Sequence, residues 1–229
     1  MLIAVDVDGT LYDGGIVASE AIEALRRVDA DGHTVMIVTG RRWEDLPNVV
    51  PQEVLDLCHA LVCEEGGVLV WPETREITLL AETYHPEMVA ALAAGGVPTL
   101  DVGHVVLAGP STYIDVFERV HAQFASGHQV IVNKGSVALA PADCDKGTGL
   151  RAAIKALGLE GLPIVAIGDA TNDIPMFEMA DHPYAVANAD DTVIAAGFPL
   201  LENRGGHGVA EALQILLPRD PTCVSDQGL

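Results

Sequence analysis

The chain has 229 residues and a formal net charge of −21, because 33 Asp and Glu residues outnumber 12 Lys and Arg residues. This excess of carboxylates argues against a nucleic acid or an anionic membrane surface as a partner, since both need a basic contact surface. A small phosphorylated metabolite stays compatible with it, because a metal ion and a few local cations can dominate the field of a pocket. With 49% hydrophobic residues, the chain is long enough for one large domain or for a main domain with a smaller one.

Cysteine usage and hydropathy predict where the protein resides. None of the four cysteines forms a CxxC pair, which fits free thiols in a chain that needs no disulfide framework. No apolar run approaches the roughly 18 residues that span a bilayer. The N-terminus reaches Asp6 without a basic segment, unlike a signal peptide. We therefore expect a cytoplasmic protein that does not enter a membrane, and the sequence indicates no oligomeric state.

The first 80 residues alternate between apolar runs and amphipathic stretches. We predict strands over 2–7, 34–38, 60–63 and 68–71, and helices over 19–27 and between 43 and 57. Strands that alternate with helices indicate a parallel sheet with helices on both faces.

The pattern changes over the next sixty residues or so. We predict a helix over 86–94, a strand over 104–108, a helix over 112–125, and two strands over 129–132 and 136–140 around a turn at Asn133, Lys134 and Gly135. This segment, residues 81–142, is predicted to form a separate small α/β unit.

The first pattern then returns. The predicted elements are helices over 146–157, 172–179, 190–195 and 206–217, and strands over 163–167 and 184–186. The fold prediction is therefore α/β, with a Rossmann-like doubly wound parallel sheet core (residues 1–80 and 143–217), a small inserted α/β unit (81–142) and a flexible tail (218–229).

Two carboxylates follow the first strand. Asp6 and Asp8 are two residues apart, so in an extended chain they point to the same face. Ligands of doubly wound sheets bind at the carboxyl ends of the strands, where such a pair can supply a nucleophile and an acid–base group. Gly9 lets the backbone turn and direct amides at an anion, which makes it a substrate-contact candidate. An ordinary strand-end turn is the alternative.

The second strand ends in Thr39, Gly40 and Arg41. The hydroxyl and the free amide can hold a phosphoryl oxygen, and Arg41 can point at the substrate or into solvent. Lys146 opens a helix just after the insert, where its ammonium group can neutralise a transferring phosphoryl group. A solvated loop and a solvated lysine are the alternatives.

A third apolar strand ends at Asp169, and Asp173 follows four residues later at a helix start. Carboxylates that converge from two strand ends suit Mg²⁺, which prefers oxygen ligands. Helix capping by Asp or Asn is the alternative here. Taken together, three apolar strands end in polar motifs with a lysine before the last, which is the arrangement that phosphoryl transfer needs at one sheet edge.

These motifs resemble those of the haloacid dehalogenase-like superfamily of phosphatases. The segment DVDGTL at 6–11 is similar to the first motif, TGR at 39–41 to the second, Lys146 to the third and GDATND at 168–173 to the fourth. An insert between the second and third motifs resembles the Cof-like branch with a type IIB cap. The insert's size and the sequence at 64–67 look most like archaeal-type phosphoglycolate phosphatases and sucrose-phosphate phosphatase relatives, although Glu65 stands where that branch often has Asn.

The resemblance implies a role for each matching residue. Asp6 is the implied nucleophile, and Asp8 the group that protonates the leaving oxygen and then activates water. The implied Mg²⁺ ligands are the Asp6 carboxylate, the Asp8 backbone carbonyl and Asp169, with Asp173 close by or acting through water. The implied phosphoryl and substrate contacts are Thr39, Gly40, Lys146 and Asn172, together with Gly9, Arg41 and Asn188.

The expected function is Mg²⁺-dependent hydrolysis of a small phosphorylated metabolite, of the phosphoglycolate or sugar phosphate class, through an aspartyl-phosphate intermediate. Two alternatives stay open at this point. One is a phosphomutase that uses the same aspartyl-phosphate, and the other is a non-catalytic binding module on the same fold.

Overall fold

The structure, a computed structural model, describes residues 1–124, 127–133 and 135–217. Two predictions from the sequence, the turn at residue 134 and the tail after residue 217, lie outside the described residues. Among the described helices, none is long and apolar enough to cross a membrane.

The described chain forms thirteen strands and eight α-helices. The strands are β1 Leu2–Val5, β2 Tyr12–Asp13, β3 Ile16–Val17, β4 Thr34–Val38, β5 Cys58–Cys63, β6 Val68–Trp71, β7 Glu76–Leu79, β8 Asp101–Val102, β9 Leu107–Pro110, β10 His128–Asn133, β11 Ser136–Pro141, β12 Ile164–Gly168 and β13 His182–Ala185. The helices are α1 Ser19–Ala30, α2 Gln52–Leu55, α3 Pro86–Ala94, α4 Ile114–Phe124, α5 Lys146–Leu157, α6 Ile174–Glu178, α7 Asp191–Ala196 and α8 Gly205–Leu216.

A seven-stranded main sheet has the order β13-β12-β1-β4-β5-β6-β7. The first five strands run parallel to their neighbours, and β6 and β7 continue the sheet in antiparallel fashion. Strand β1 lies between β12 and β4, so segments from both ends of the chain meet at its carboxyl end. This confirms the predicted α/β class with a mostly parallel central sheet.

Both faces of the main sheet are covered, which explains why its strands are apolar throughout. Side chains alternate between the faces along β1. Ile3 and Val5 pack in one buried cluster with residues of α1 and α8. Leu2 and Ala4 pack in a second cluster with residues of α5 and α6. Each face therefore has its own hydrophobic core.

The insert comprises α3, α4 and the antiparallel sheet β10-β11-β9-β8. Strand β11 has two different faces. Val137 and Leu139 pack with Phe117 and other residues of the insert's helices. Ala138 and Ala140 belong instead to a cluster that includes residues of the main sheet. The insert sheet therefore lies between its own helices and the main domain.

The structure differs from the predicted elements in several places. Residues 43–57 form a 3₁₀ segment, Trp43–Asn48, and the four-residue α2 rather than one helix, because Pro47 and Pro51 interrupt helical hydrogen bonding. Strands β2, β3, β7 and β8 were not predicted. The strand expected over 104–108 begins only at Leu107, and the amides of residues 104–106 bond to the Glu64 carboxylate instead of a neighbouring strand.

Candidate active site

The candidate site lies where three adjacent strands of the main sheet end. Asp6 follows β1, Thr39 follows β4 and Asp169 follows β12, and all three side chains are buried. Parallel strands present their carboxyl ends at the same edge. The sheet order therefore brings together motifs from opposite ends of the chain.

Lys146 is the central cation of this edge. It begins α5, where Asp145 and Thr148 form a capping box that fixes the start of the helix. Its ammonium group donates to Asp6 Oδ1 and Asp173 Oδ1, both at 2.6 Å. The lysine side chain is only 2% exposed, so these ion pairs are shielded from water.

The burial of these charges shifts their pKa values. Burial alone would lower the pKa of Lys146, but the charges of Asp173 and Asp6 outweigh it and hold the pKa above its ordinary value. Burial, and next the charge of Asp173, raises the pKa of the Asp6 carboxyl, whereas Lys146 opposes the rise. Lys146 therefore stays protonated and stabilises the carboxylate form of Asp6.

Asp169 and Asp173 are fixed by hydrogen bonds. Asp173 Oδ2 accepts from the backbone amides of residues 169 and 170, at 2.8 and 2.9 Å. Asp169 accepts from Thr10 Oγ1 and from Asn188 Nδ2, both at 3.3 Å. Asn188 Nδ2 also donates to the Gly9 carbonyl at 2.7 Å, which ties the first motif to the fourth.

Three buried carboxylates form a donor set that fits a hard divalent cation. One oxygen each of Asp6, Asp169 and Asp173 lies within 4.8 Å of the others. Charged oxygen ligands from three residues are the set that Mg²⁺ or a similar ion prefers. Lys146 offsets part of the negative charge of Asp6 and Asp173, and a divalent cation can offset more of it.

Asp8 lies outside this carboxylate cluster. It is exposed, and both of its oxygens accept from Arg41, at 2.7 Å from Nε and 2.6 Å from a terminal nitrogen. This hydrogen bonding raises the pKa of Arg41. Thr39 Oγ1 accepts from the Arg41 amide at 3.2 Å within the second motif. The contact between Arg41 and Asp8 joins this motif to the first.

Glu65 is a site residue whose location the sequence prediction missed. It lies in the turn between β5 and β6, has a φ of 55° and is buried. Both of its oxygens accept from Asn172 Nδ2, at 3.1 and 3.0 Å, and Asn172 Oδ1 accepts from Asn133 of the insert at 3.2 Å. Burial raises the pKa of Glu65, and the charge of Lys146 opposes the rise. The sequence signals were an acidic pair beside two glycines in an apolar region and a Glu where the resembling branch often has Asn.

A cavity of about 330 Å³ lies between the main sheet's edge and the insert. The main domain contributes its floor, which includes Asp6 and Lys146. One cross-strand row of the insert sheet forms much of the roof, and it consists of Ile131, Ala138, Ala108 and Asp101. The cavity is large enough for a small metabolite next to the buried carboxylates.

The structure thus groups the residues selected from the sequence in two sets. Asp6, Lys146 and Asp173 are in direct contact, with Asp169 close by. Asp8 and Arg41 form a separate pair at the cavity wall, where Gly40 and Asn172 also lie. The fully buried Thr39 accepts a hydrogen bond within its own motif, and the half-buried Asn188 donates one to Gly9 of the first motif.

Comparisons with known proteins show which family the chain is similar to. A family model of haloacid dehalogenase-like hydrolases matches residues 3–94 and 102–213. A phosphoglycolate phosphatase of Haloarcula marismortui is 31% identical over 226 residues, which cover 92% of this chain and 95% of that protein. A phosphoglycolate phosphatase of Nitrosopumilus maritimus is 27% identical, with 94% and 95% covered.

Solved structures share the fold. The sucrose-phosphatase of Synechocystis, determined in complex with sucrose and phosphate, superposes with a TM-score of 0.71 at 19% identity, covering 94% of this chain and 97% of that one. The resemblance expected from the four motifs is therefore confirmed. The chain belongs to the haloacid dehalogenase-like hydrolase family, within which it is a phosphatase, a phosphoric monoester hydrolase.

Proposed function

We propose that the chain is a Mg²⁺-dependent phosphatase that hydrolyses a small phosphorylated metabolite through an aspartyl-phosphate on Asp6. One observation carries the proposal, namely the contact of Lys146 with Asp6 and Asp173 beside Asp169 at the floor of a cavity. A buried carboxylate held next to a buried ammonium group suits nucleophilic attack on an anionic phosphoryl group.

The proposed reaction has two steps. In the first, an Asp6 oxygen bonds to phosphorus, the ester bond breaks, and Asp8 gives a proton to the leaving oxygen. In the second, Asp8 takes a proton from water, whose oxygen displaces the Asp6 carboxylate and releases phosphate. Because Arg41 binds both Asp8 oxygens, this pair must loosen for Asp8 to transfer protons.

The proposed metal ligands are the carboxylates of Asp6 and Asp169 and the backbone carbonyl of Asp8, with Asp173 close by or acting through water. A cation held by these oxygens would screen the repulsion between the nucleophile and the phosphoryl oxygens. Asp173 also keeps Lys146 in place through its ion pair.

The remaining site residues are proposed to bind substrate. Thr39, Gly40, Lys146 and Asn172 would hold the phosphoryl oxygens, and Gly9, Arg41 and Asn188 would contact or position the substrate. The insert is proposed to act as a cap, with residues 81–142 forming this domain and residues 1–80 and 143–217 the core. A cap that covers the cavity excludes water and helps to choose the leaving group.

The substrate class is proposed from two sources. The curated relatives are phosphoglycolate phosphatases, and a solved structural neighbour is a sucrose-phosphatase. We infer a phosphoglycolate-type or sugar-phosphate-type ester, and neither nucleic acid nor membrane as a partner in view of the net charge of −21. Buried free thiols at Cys58, Cys63 and Cys144 support a reducing compartment such as the cytoplasm.

The test is hydrolysis of p-nitrophenyl phosphate by the purified protein with Mg²⁺. Asp6→Asn should lower kcat at least about a thousandfold, because an amide cannot serve as the nucleophile. The exposed Asp31→Asn is the matched control and should retain activity. Mg²⁺ should also raise the melting temperature of the wild-type protein more than that of Asp169→Asn.

Two results would contradict the proposal. Full activity of Asp6→Asn would exclude Asp6 as the nucleophile. Undiminished wild-type activity after exhaustive chelation, with an unchanged melting temperature on adding Mg²⁺, would exclude the metal role.

A further inference from the structure

Among the described residues that line the cavity, acidic side chains outnumber basic ones. Its described lining includes the carboxylates of Asp6, Asp8, Glu65 and Asp101 and two cations. Both cations already bind carboxylates. Arg41 contacts Asp8, and Lys146 at the floor contacts Asp6. Within the described lining, therefore, each cation contacts an acidic side chain, and Arg41 is released only when its pair with Asp8 loosens.

Glu65 is an acidic side chain of the cavity to which the proposed reaction gives no role. A Cβ atom added to Gly40 would lie 2.2 Å from Glu65 Oε1, so the carboxylate lies directly against the backbone of the second motif. Its left-handed φ of 55° is an unfavourable conformation for glutamate. The chain nevertheless holds a buried carboxylate at the wall of the cavity.

The hydrogen bonding of Glu65 leaves acceptor capacity. Among the described residues, a single nitrogen, Asn172 Nδ2, donates to both Glu65 oxygens. An ionised carboxylate has about four lone-pair positions for hydrogen bonds. Since Glu65 lines the cavity, a bound molecule can supply a further donor.

The opposite wall carries little charge. Ile131, Ala138 and Ala108 present apolar groups to the cavity, and the acidic end of that row, Asp101, pairs with Arg42 at 2.6 Å. These surfaces suit the carbon skeleton of an uncharged ligand. Among the described residues of the insert that line the cavity, Asn133 and Ser136 add uncharged polar groups, and none carries a positive charge.

We propose that Glu65 is a specificity-determining residue, whose carboxylate accepts a hydrogen bond from a hydroxyl group of the leaving alcohol and disfavours leaving groups that carry a carboxylate. This inference rests on the proposed phosphatase function and narrows its substrate class to esters of hydroxylated, uncharged alcohols. A hydroxyl group donating to a buried carboxylate forms a charge-assisted hydrogen bond, whereas two carboxylates in the same shielded space repel each other.

Three phosphate esters of matched size test the proposal. The leaving groups of 2-hydroxyethyl phosphate, ethyl phosphate and 2-phosphoglycolate differ chiefly in whether they end in a hydroxyl, methyl or carboxylate group. For the wild-type protein with Mg²⁺, kcat/KM for 2-hydroxyethyl phosphate should exceed that for each of the other two by about tenfold or more, since hydrogen bonds to charged groups contribute on this scale.

Glu65→Gln should reduce these two selectivity ratios by about tenfold, because an amide neither carries the charge nor accepts through two oxygens. The exposed Glu44→Gln makes the same charge change outside the cavity and should leave both ratios unchanged. The ratios report selectivity separately from any general loss of folded protein, and melting temperatures of both variants monitor folding.

Different results distinguish a failure of the proposed phosphatase function from a failure of the proposed role of Glu65. If the wild-type protein hydrolyses none of the three esters and no p-nitrophenyl phosphate, the proposed function fails. If it hydrolyses 2-phosphoglycolate as well as or better than 2-hydroxyethyl phosphate, only the role of Glu65 is overturned, and this result needs no variant. Equal losses on all three esters in a folded Glu65→Gln protein would also overturn that role and indicate that Glu65 acts only through Asn172.

Discussion

Lys146 offsets part of the negative charge of the buried floor. Its ammonium group contacts two carboxylates, and a third, Asp169, lies within reach of both. Taking three carboxylates out of water is unfavourable unless cations or hydrogen-bond donors surround them. The lysine, the amides before Asp173 and a divalent cation would share this task, so the residues that favour catalysis are also those that make the site compatible with folding.

Gly9 lies against Asp169, and the effect of this contact can be tested by comparing an alanine substitution at Gly9 with one at Gly14. The φ of Gly9 is 85°, and a Cβ atom there would lie 2.1 Å from Asp169 Oδ2. Gly14 has a φ of 61°, but a Cβ atom added to it would meet no atom within 4 Å, so Gly14→Ala tests backbone strain alone. We expect Gly14→Ala to lower the free energy of unfolding by about 1–2 kcal/mol. Gly9→Ala should lose more stability and about a hundredfold in kcat/KM, since Asp169 must move.

Urea unfolding and steady-state kinetics of both variants measure these effects. Equal behaviour of Gly9→Ala and Gly14→Ala would show that the contact with Asp169 is unimportant.

The sequence identified most residues of the floor and several of the cavity wall, but not the position of Glu65 or the apolar side chains of the roof. Asp6, Asp169 and Lys146 could be found because each motif stands at a predicted strand end or helix start, and the strand order of an α/β sheet brings such ends together. Glu65 could not be placed in this way. Its left-handed backbone and its contact with Gly40 depend on how the turn after β5 packs, which no short-range pattern encodes.

At the scale of elements, the turn between β5 and β6 joins the main sheet to the insert. Glu64, also with a left-handed φ, is 1% exposed. Its carboxylate accepts from the backbone amides of His104, Val105 and Val106 at 2.8–3.1 Å. The loop before β9 is therefore held by a side chain of the main domain rather than by a strand neighbour.

Glu64→Gln should weaken this connection. The amide group has one acceptor oxygen instead of two and places a donor against backbone donors, so we expect a loss of about 2–3 kcal/mol in the free energy of unfolding. Amide hydrogen exchange should accelerate at residues 104–106. The exposed Glu118→Gln on α4 is the control. Unchanged exchange at these three amides would contradict the role of Glu64.

The errors at β7 and at residues 104–106 depend on hydrogen-bond partners rather than on apolar composition. Strand β7 is short and mostly exposed, and it forms through pairing with β6 rather than through an apolar run. Residues 104–106 have a strand-like composition, yet their backbone amides donate to the Glu64 carboxylate rather than to a neighbouring strand. The long apolar strands of the main sheet were predictable because burial on both faces leaves a direct signature in the sequence.

For the whole molecule, the net charge of −21 has a measurable consequence. Like charges on a compact surface repel each other, and added salt screens this repulsion. We expect the melting temperature at pH 7.5 to rise by about 2–8 °C between low salt and about 0.5 M KCl, which corresponds to about 1–2 kcal/mol.

Calorimetry in the presence of a chelator measures this rise without a contribution from divalent ions. The rise should be smaller near pH 5, where carboxylates begin to gain protons and the net charge falls. A melting temperature that is flat or falls with KCl would contradict the expectation.

The small side chains in the roof of the cavity affect how ligand preference can change during evolution. Ala108 and Ala138 are cross-strand neighbours and face the ligand space, whereas Val137 and Leu139 on the reverse side fill the insert's own core. Replacing either alanine by a bulkier residue would shorten the space available to a ligand without altering the buried carboxylates beneath it. The residues that carry out the reaction and the residues that limit ligand size therefore lie in different segments of the chain. Single mutations in the roof can change which molecules fit without changing the catalytic residues.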